Sequence, residues 1–225
     1  MTTLEWIAAV AIIIGILQAI IIAVDVCRAP QSMWIMNVTW PITGLYMPLI
    51  GFWLYFKIGR KDGGHQHAHH EEGMHHTHKP FWQSVIVSTS HCGGGCSIGD
   101  LIGAPLVFFA GWTLAGSMLL ADYATEFILA YIIGIAFQFY GMRNKEKPLG
   151  EELKNAVKAD TWSLVSFEIG MFGWMALTHY VLFIQPPHPD SLVFWFMMQV
   201  AMMIGFGTSM PANWFLLRKG IKHAM

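Results

Sequence analysis

His91-Cys92-Gly93-Gly94-Gly95-Cys96-Ser97-Ile98-Gly99-Asp100 can be read with two backbones, and the choice decides how the rest of the chain is arranged. As a helix it sets Cys92, Cys96 and Asp100 on one face at i, i+4 and i+8, but each of the consecutive glycines disfavours that helix by roughly 1 kcal/mol. As a glycine loop it hands over to a helix at Ser97-Ile98-Gly99-Asp100, which has the Ser-x-x-acid form of a capping box before an apolar run. The local signals favour the loop. Cys96 then precedes a helix N-terminus, whose dipole favours a thiolate. In either form the two thiols and the imidazole of His91 can converge, a donor set suited to Cu(I), to zinc or to a redox thiol pair. The plain alternative is a tight turn whose cysteines are small buried fillers.

The surroundings of this stretch are those of a chain dissolved in lipid. Hydrophobic residues make up 55% of the sequence and charged ones 12%, too few charges to cover a soluble domain. Apolar runs at residues 4–26, 34–58, 101–121, 127–142, 162–184 and 192–217 each approach the roughly 20 residues a bilayer core requires. The expectation is an all-α, polytopic membrane helix bundle of about six transmembrane helices. Residues 1–60 form an N-terminal pair, 61–80 a cytosolic loop and 81–225 a four-helix core. All but Arg28 of the 13 Lys and Arg residues fall on one side of that arrangement. The positive-inside rule makes that side cytoplasmic, with both termini on it, as in the inner membrane of a bacterium. The first run lacks the basic flank and small-residue cleavage site of a signal peptide, so it reads as a retained helix. A net charge of −1 suggests no nucleic-acid partner.

Along the chain, Ala11, Gly15, Ala19 and Ala23 recur every four residues, a small-residue stripe that lets a neighbouring helix approach closely. Pro41 and Pro48 predict a kink in the second run. The loop at 61–80 crowds His65, His67, His69, His70, His75, His76 and His78 together, imidazoles that can capture Zn, Ni or Cu(II) without fixed geometry. Residues 81–100 are too polar and too glycine-broken for a simple span, and with 81–87 apolar enough to touch lipid, residues 81–96 read as interfacial or re-entrant. Glu126 sits at a membrane edge, and residues 143–158 read as a short amphipathic helix on the cytosolic surface. On the fifth run Glu168, Met171, Met175 and His179 share one face at i, i+3, i+7 and i+11. An acid within an apolar span is costly unless it is used. Met198 and Met202 share a face of the last run. Thioethers suit Cu(I), although such stripes also serve as adaptable packing.

From residue 81 onward the chain resembles a bacterial multi-pass membrane family catalogued as a domain of unknown function, DUF4396. The resemblance rests on the His91–Asp100 stretch and on Lys158-Ala159-Asp160-Thr161 followed by Phe167-Glu168-Ile169-Gly170-Met171-Phe172-Gly173-Trp174-Met175-Ala176. It rests also on Phe194-Trp195-Phe196-Met197-Met198-Gln199 and Pro211-Ala212-Asn213-Trp214. What it implies is membership and a multi-pass topology, with copper handling suggested by naming.

The function expected from these residues is a soft-metal site, copper first and zinc as the alternative, used in transport or delivery. Its ligands would be His91, Cys92 and Cys96, with Asp100 as a supporting acid and Glu168, Met171, Met175 and His179 as an onward path. The partners expected are the lipid bilayer and a metal chaperone or a larger membrane complex. A thiol–disulfide redox protein using Cys92 and Cys96 is the enzymatic alternative, and a non-catalytic subunit of a membrane complex is the third. No nucleotide-binding, haem-attachment or hydrolytic motif is evident, so a non-enzyme is the primary reading.

Overall fold

The computed structural model describes residues 2–60, 80–141 and 148–222, and within them the protein is all-α. The elements are α1 (Thr3–Arg28), α2 (Met36–Tyr46), α3 (Ile50–Leu54, continued by a π-helical turn at Tyr55–Gly59), α4 (Phe81–Ala110), α5 (Met118–Gly141), α6 (Leu149–Leu177, continued by a π turn at Thr178–Leu182) and α7 (Leu192–Arg218). Four of them, α1, α4, α5 and α7, are long and apolar enough to cross a membrane, the signature of a membrane protein. α1 turns Trp6, Val10, Ile13, Leu17, Ile20 and Val24 outward, as a lipid-facing helix does.

The glycine stretch is helical. α4 runs unbroken from Phe81 to Ala110, so the loop and the capping box expected at Ser97 do not form. Of the helices packed on α4, three meet it at the glycines. A Cβ on Gly93 would lie 2.7 Å from the Tyr46 hydroxyl and 3.0 Å from the Phe167 ring. One on Gly94 would lie 2.6 Å from Thr39, and one on Gly95 3.0 Å from the Gly134 backbone. Gly99 and Gly103 continue the contact with α5 against Ala130 and Glu126. Close backbone approach on several sides offsets the helix penalty of glycine, as in membrane helix pairs built on small residues. Every residue from Ser84 to Ser97 is buried, making α4 the axis of the bundle.

Residues 81–96, expected to be interfacial or re-entrant, are instead the first turns of this axis. The run expected at 101–121 ends early, because Gly111 takes the left-handed conformation (φ 66°) that closes the helix. The amphipathic helix expected at 143–158 is not separate: from Leu149 it is continuous with α6.

The second apolar run breaks where Pro48 falls, and it forms no single membrane-length helix. α2 and α3 form a hairpin whose corner includes Leu49 at φ 66°. Trp40 packs edge-on to Tyr55, and Gly59 lies so close to the Trp40 ring that a Cβ there would clash with it. The hairpin returns to the end of the bundle where it began: Arg60 pairs with Asp25 near the end of α1 at 2.9 Å, and the Tyr55 hydroxyl donates to the same carboxylate at 2.7 Å. The broken backbone at the corner is satisfied by side chains. Gln18 accepts from the Leu49 N–H at 2.9 Å and donates to the carbonyls of Met47, at 2.9 Å, and Gly44, and Gln199 donates to the Leu45 carbonyl at 2.8 Å. Irregular backbone at this depth needs such protein partners. The α1 stripe faces the hairpin as expected, with Gly15 against Leu45 and Ala19 against Gly44.

Because the hairpin reverses, the start of α1 and the close of α7 lie at opposite ends of the bundle, whereas six spans would set them at one end. Arg28 and Arg60 share an end with the start of α4 and the close of α5, where Gly141 meets Met33, Ile35 and His91. The close of α7 lies there too, since Lys222 reaches Asp160 near the start of α6. We call this the basic end. The start of α1 and the turns at 111–117 and 183–191 lie at the other.

Candidate functional site

Helical periodicity sets Cys92, Cys96 and Asp100 along one face of α4, and all are buried. Glu168, equally buried on α6, brings its carboxylate to the Cys96 thiol. The Tyr46 hydroxyl from the hairpin faces both thiols. Asp100 lies within electrostatic reach of Glu168 and of Glu126 on α5. No nitrogen or oxygen donor among the described residues reaches either oxygen of Asp100 or of Glu168, a rare condition for buried carboxyl groups. Both cysteines are free thiols.

Toward the end away from the basic loops this cluster opens into a mouth. Asp122, Glu126, Met175, Thr178, His179 and His188 line a cavity there. Glu126 in its lining packs directly on Gly103 of α4. The Thr178 hydroxyl is buried there with no hydrogen-bond partner among the described residues.

Toward the basic end lies a second buried polar group of opposite character. Lys222 donates to Asp160 at 2.9 Å and to the Asn213 carbonyl at 3.0 Å. The Asn213 amide nitrogen donates to Ser163 at 2.6 Å and Ser209 at 2.9 Å, and Ser88 donates to the Asn213 oxygen at 3.1 Å. Donors and acceptors here are matched almost throughout.

The structure therefore divides the expected residues. Cys92, Cys96, Asp100 and Glu168 come together, and Met171 and Met175 follow on the same buried face toward His179 in the mouth. His91 does not join the thiols. It turns to the opposite side of α4, packs edge-on to Phe137 at 6.3 Å between ring centroids, and faces Lys222 and Asp160. Among the described residues no three His, Cys, Asp or Glu side chains converge closely enough to chelate one ion. Met198 and Met202 line an apolar pocket with Tyr46 and Ser97. The histidines of the 61–80 loop lie outside the described residues.

Sequence reasoning missed Gln18, Gln199, Asp160, Asn213 and Lys222. The signal for the glutamines and the asparagine was present, since an amide inside an apolar helix needs a partner. Asp160 lies just before the fifth apolar run and Lys222 just after the last, where charges are ordinary in a sequence, so only the fold reveals their burial.

An all-α bundle with membrane-length helices and a buried thiol–carboxyl cluster on its axial helix defines the class of protein. The chain belongs to the family described as a domain of unknown function, DUF4396, whose match covers residues 81–222, the part that carries both buried polar groups. No curated protein and no solved structure matches the chain.

Proposed function

We propose that the protein is an integral membrane protein that binds a soft metal ion, Cu(I), at Cys92 and Cys96 and serves its transport or delivery. The observation that carries this reading is the pair of sealed thiols one turn apart on the axial helix, with the Glu168 carboxyl against Cys96. Thiolates select Cu(I), and two suffice to hold it, whereas zinc asks for about four ligands in a tetrahedron. Glu168 is placed to take a thiol proton as the metal arrives. Met171, Met175 and His179 give thioether and imidazole steps from the thiols to the mouth. His65, His67, His69, His70, His75, His76 and His78 would collect metal at the other side.

In this reading α1, α4, α5, α6 and α7 cross the bilayer and the α2–α3 hairpin re-enters from the basic end. The basic end is cytoplasmic by the positive-inside rule, and the chain starts outside. The bacterial inner membrane and a chaperone or membrane-complex partner belong to the same proposal. A thiol–disulfide enzyme is less well supported, because both thiols are at most 1% exposed and a partner's cysteine has no path to them.

Metal analysis of protein purified anaerobically after growth with copper or zinc tests this. About one copper per chain is expected, kept when residues 61–79 are deleted and lost in Cys92→Ser/Cys96→Ser. Equal copper in the double variant would overturn the proposal.

A further inference from the structure

The basic end of the bundle closes on a charge. Beyond α7, Gly220 takes a left-handed turn (φ 67°) and the chain folds back, so that the Lys222 side chain is 0% exposed. Lysine is almost never buried this way unless paired. Its ammonium sits between the Asp160 carboxylate at 2.9 Å and the Asn213 oxygen at 3.0 Å. Ser163 and Ser209 hold the amide nitrogen of Asn213, which points the amide oxygen at the ammonium. The second Asp160 oxygen, facing Gly134, has no partner. Both nitrogens of His91 beside this site are likewise open among the described residues.

A carboxylate, an oriented amide oxygen and nearby hydroxyls are hard oxygen donors, the set that binds a small hard cation. As a stability device alone the arrangement is poor, because a buried ion pair is often no better than apolar residues of the same volume. We propose that Asp160 and Asn213 form a monovalent-cation site that Lys222 occupies as a tethered substitute, closing the basic end, and that a free Na⁺ or K⁺ takes it when the tail withdraws. The inference does not depend on copper at the thiols.

The test is the apparent melting temperature of the purified full chain in NaCl, KCl and choline chloride at equal ionic strength. Choline is too large for the site. Lys222→Met is expected to melt about 10 °C below wild type in choline chloride and to recover most of that loss in NaCl or KCl. Wild type should melt alike in all three salts, and Lys222→Met/Asp160→Asn should show no difference between them. Lys222→Gln, which keeps an N–H donor without the charge, should repeat the cation dependence. Equal melting of both single variants in every salt would make Lys222 a structural counter-ion only and overturn the proposal. If neither variant can be purified in choline chloride, recovery of folded protein in NaCl supports it and failure in both salts overturns it.

Discussion

The two buried polar groups of this bundle are built on opposite principles. At the basic end Lys222, Asp160, Asn213, Ser163, Ser209 and Ser88 pair with one another. On the axis and toward the mouth, Asp100 and Glu168 offer carboxyl oxygens that no nitrogen or oxygen donor among the described residues reaches. Burying an unpartnered polar group costs about 1–3 kcal/mol, and a folded protein keeps such groups where they do something other than hold the fold. Under the proposed function the unmatched group is the working one, and the matched group, with the Lys222 ammonium at its centre, closes the basic end.

The largest expected effect is on the matched side. Asp160→Leu leaves the Lys222 ammonium buried without its counter-charge, and should lower unfolding stability by about 3–5 kcal/mol, measured by denaturant titration in mild detergent. A loss below about 1 kcal/mol would mean that the pair is solvated and that the contrast between the two groups is false.

A middle effect is expected at the packing that holds the working side in place. On Gly99 even a Cβ would clash with the Ala130 backbone. Gly99→Leu should separate α4 from α5 and cost about 1–3 kcal/mol, read by the same titration, while Gly150→Leu, where nothing lies within 4 Å, should cost little. Equal effects would show that the glycines are not there for contact.

That packing is also where sequence and structure part. The all-α class, the membrane-length helices, the stripe at Gly15 and Ala19, and the shared face of Glu168, Met171 and Met175 were legible, because each is a periodic pattern within one helix. Gly93, Gly94 and Gly95 were not, because local propensity points to a loop and only the three surrounding helices reverse it. The second run, 25 residues long, fits a span as well as a hairpin. Gln18, which satisfies the hairpin corner, lies about thirty residues away in another helix. The Lys222 network joins residues separated by 62, 50 and 125 positions, distances at which a single sequence carries no pairing signal. The reading of Cys92, Cys96 and Asp100 as one face held for the helix, although the loop was preferred.

The smallest expected change in stability, and the most direct test of the account, is Glu168→Gln. The amide keeps the volume of the acid and breaks no pairing with a nitrogen or oxygen donor, so unfolding stability should stay within about 1 kcal/mol of wild type. Measured on the same sample by anaerobic competition titration, Cu(I) affinity should fall about 10–100-fold, as expected for a group that supports a metal ligand. Stability lost to the extent seen in Asp160→Leu, with copper affinity unchanged, would contradict the division between a structural and a working polar group.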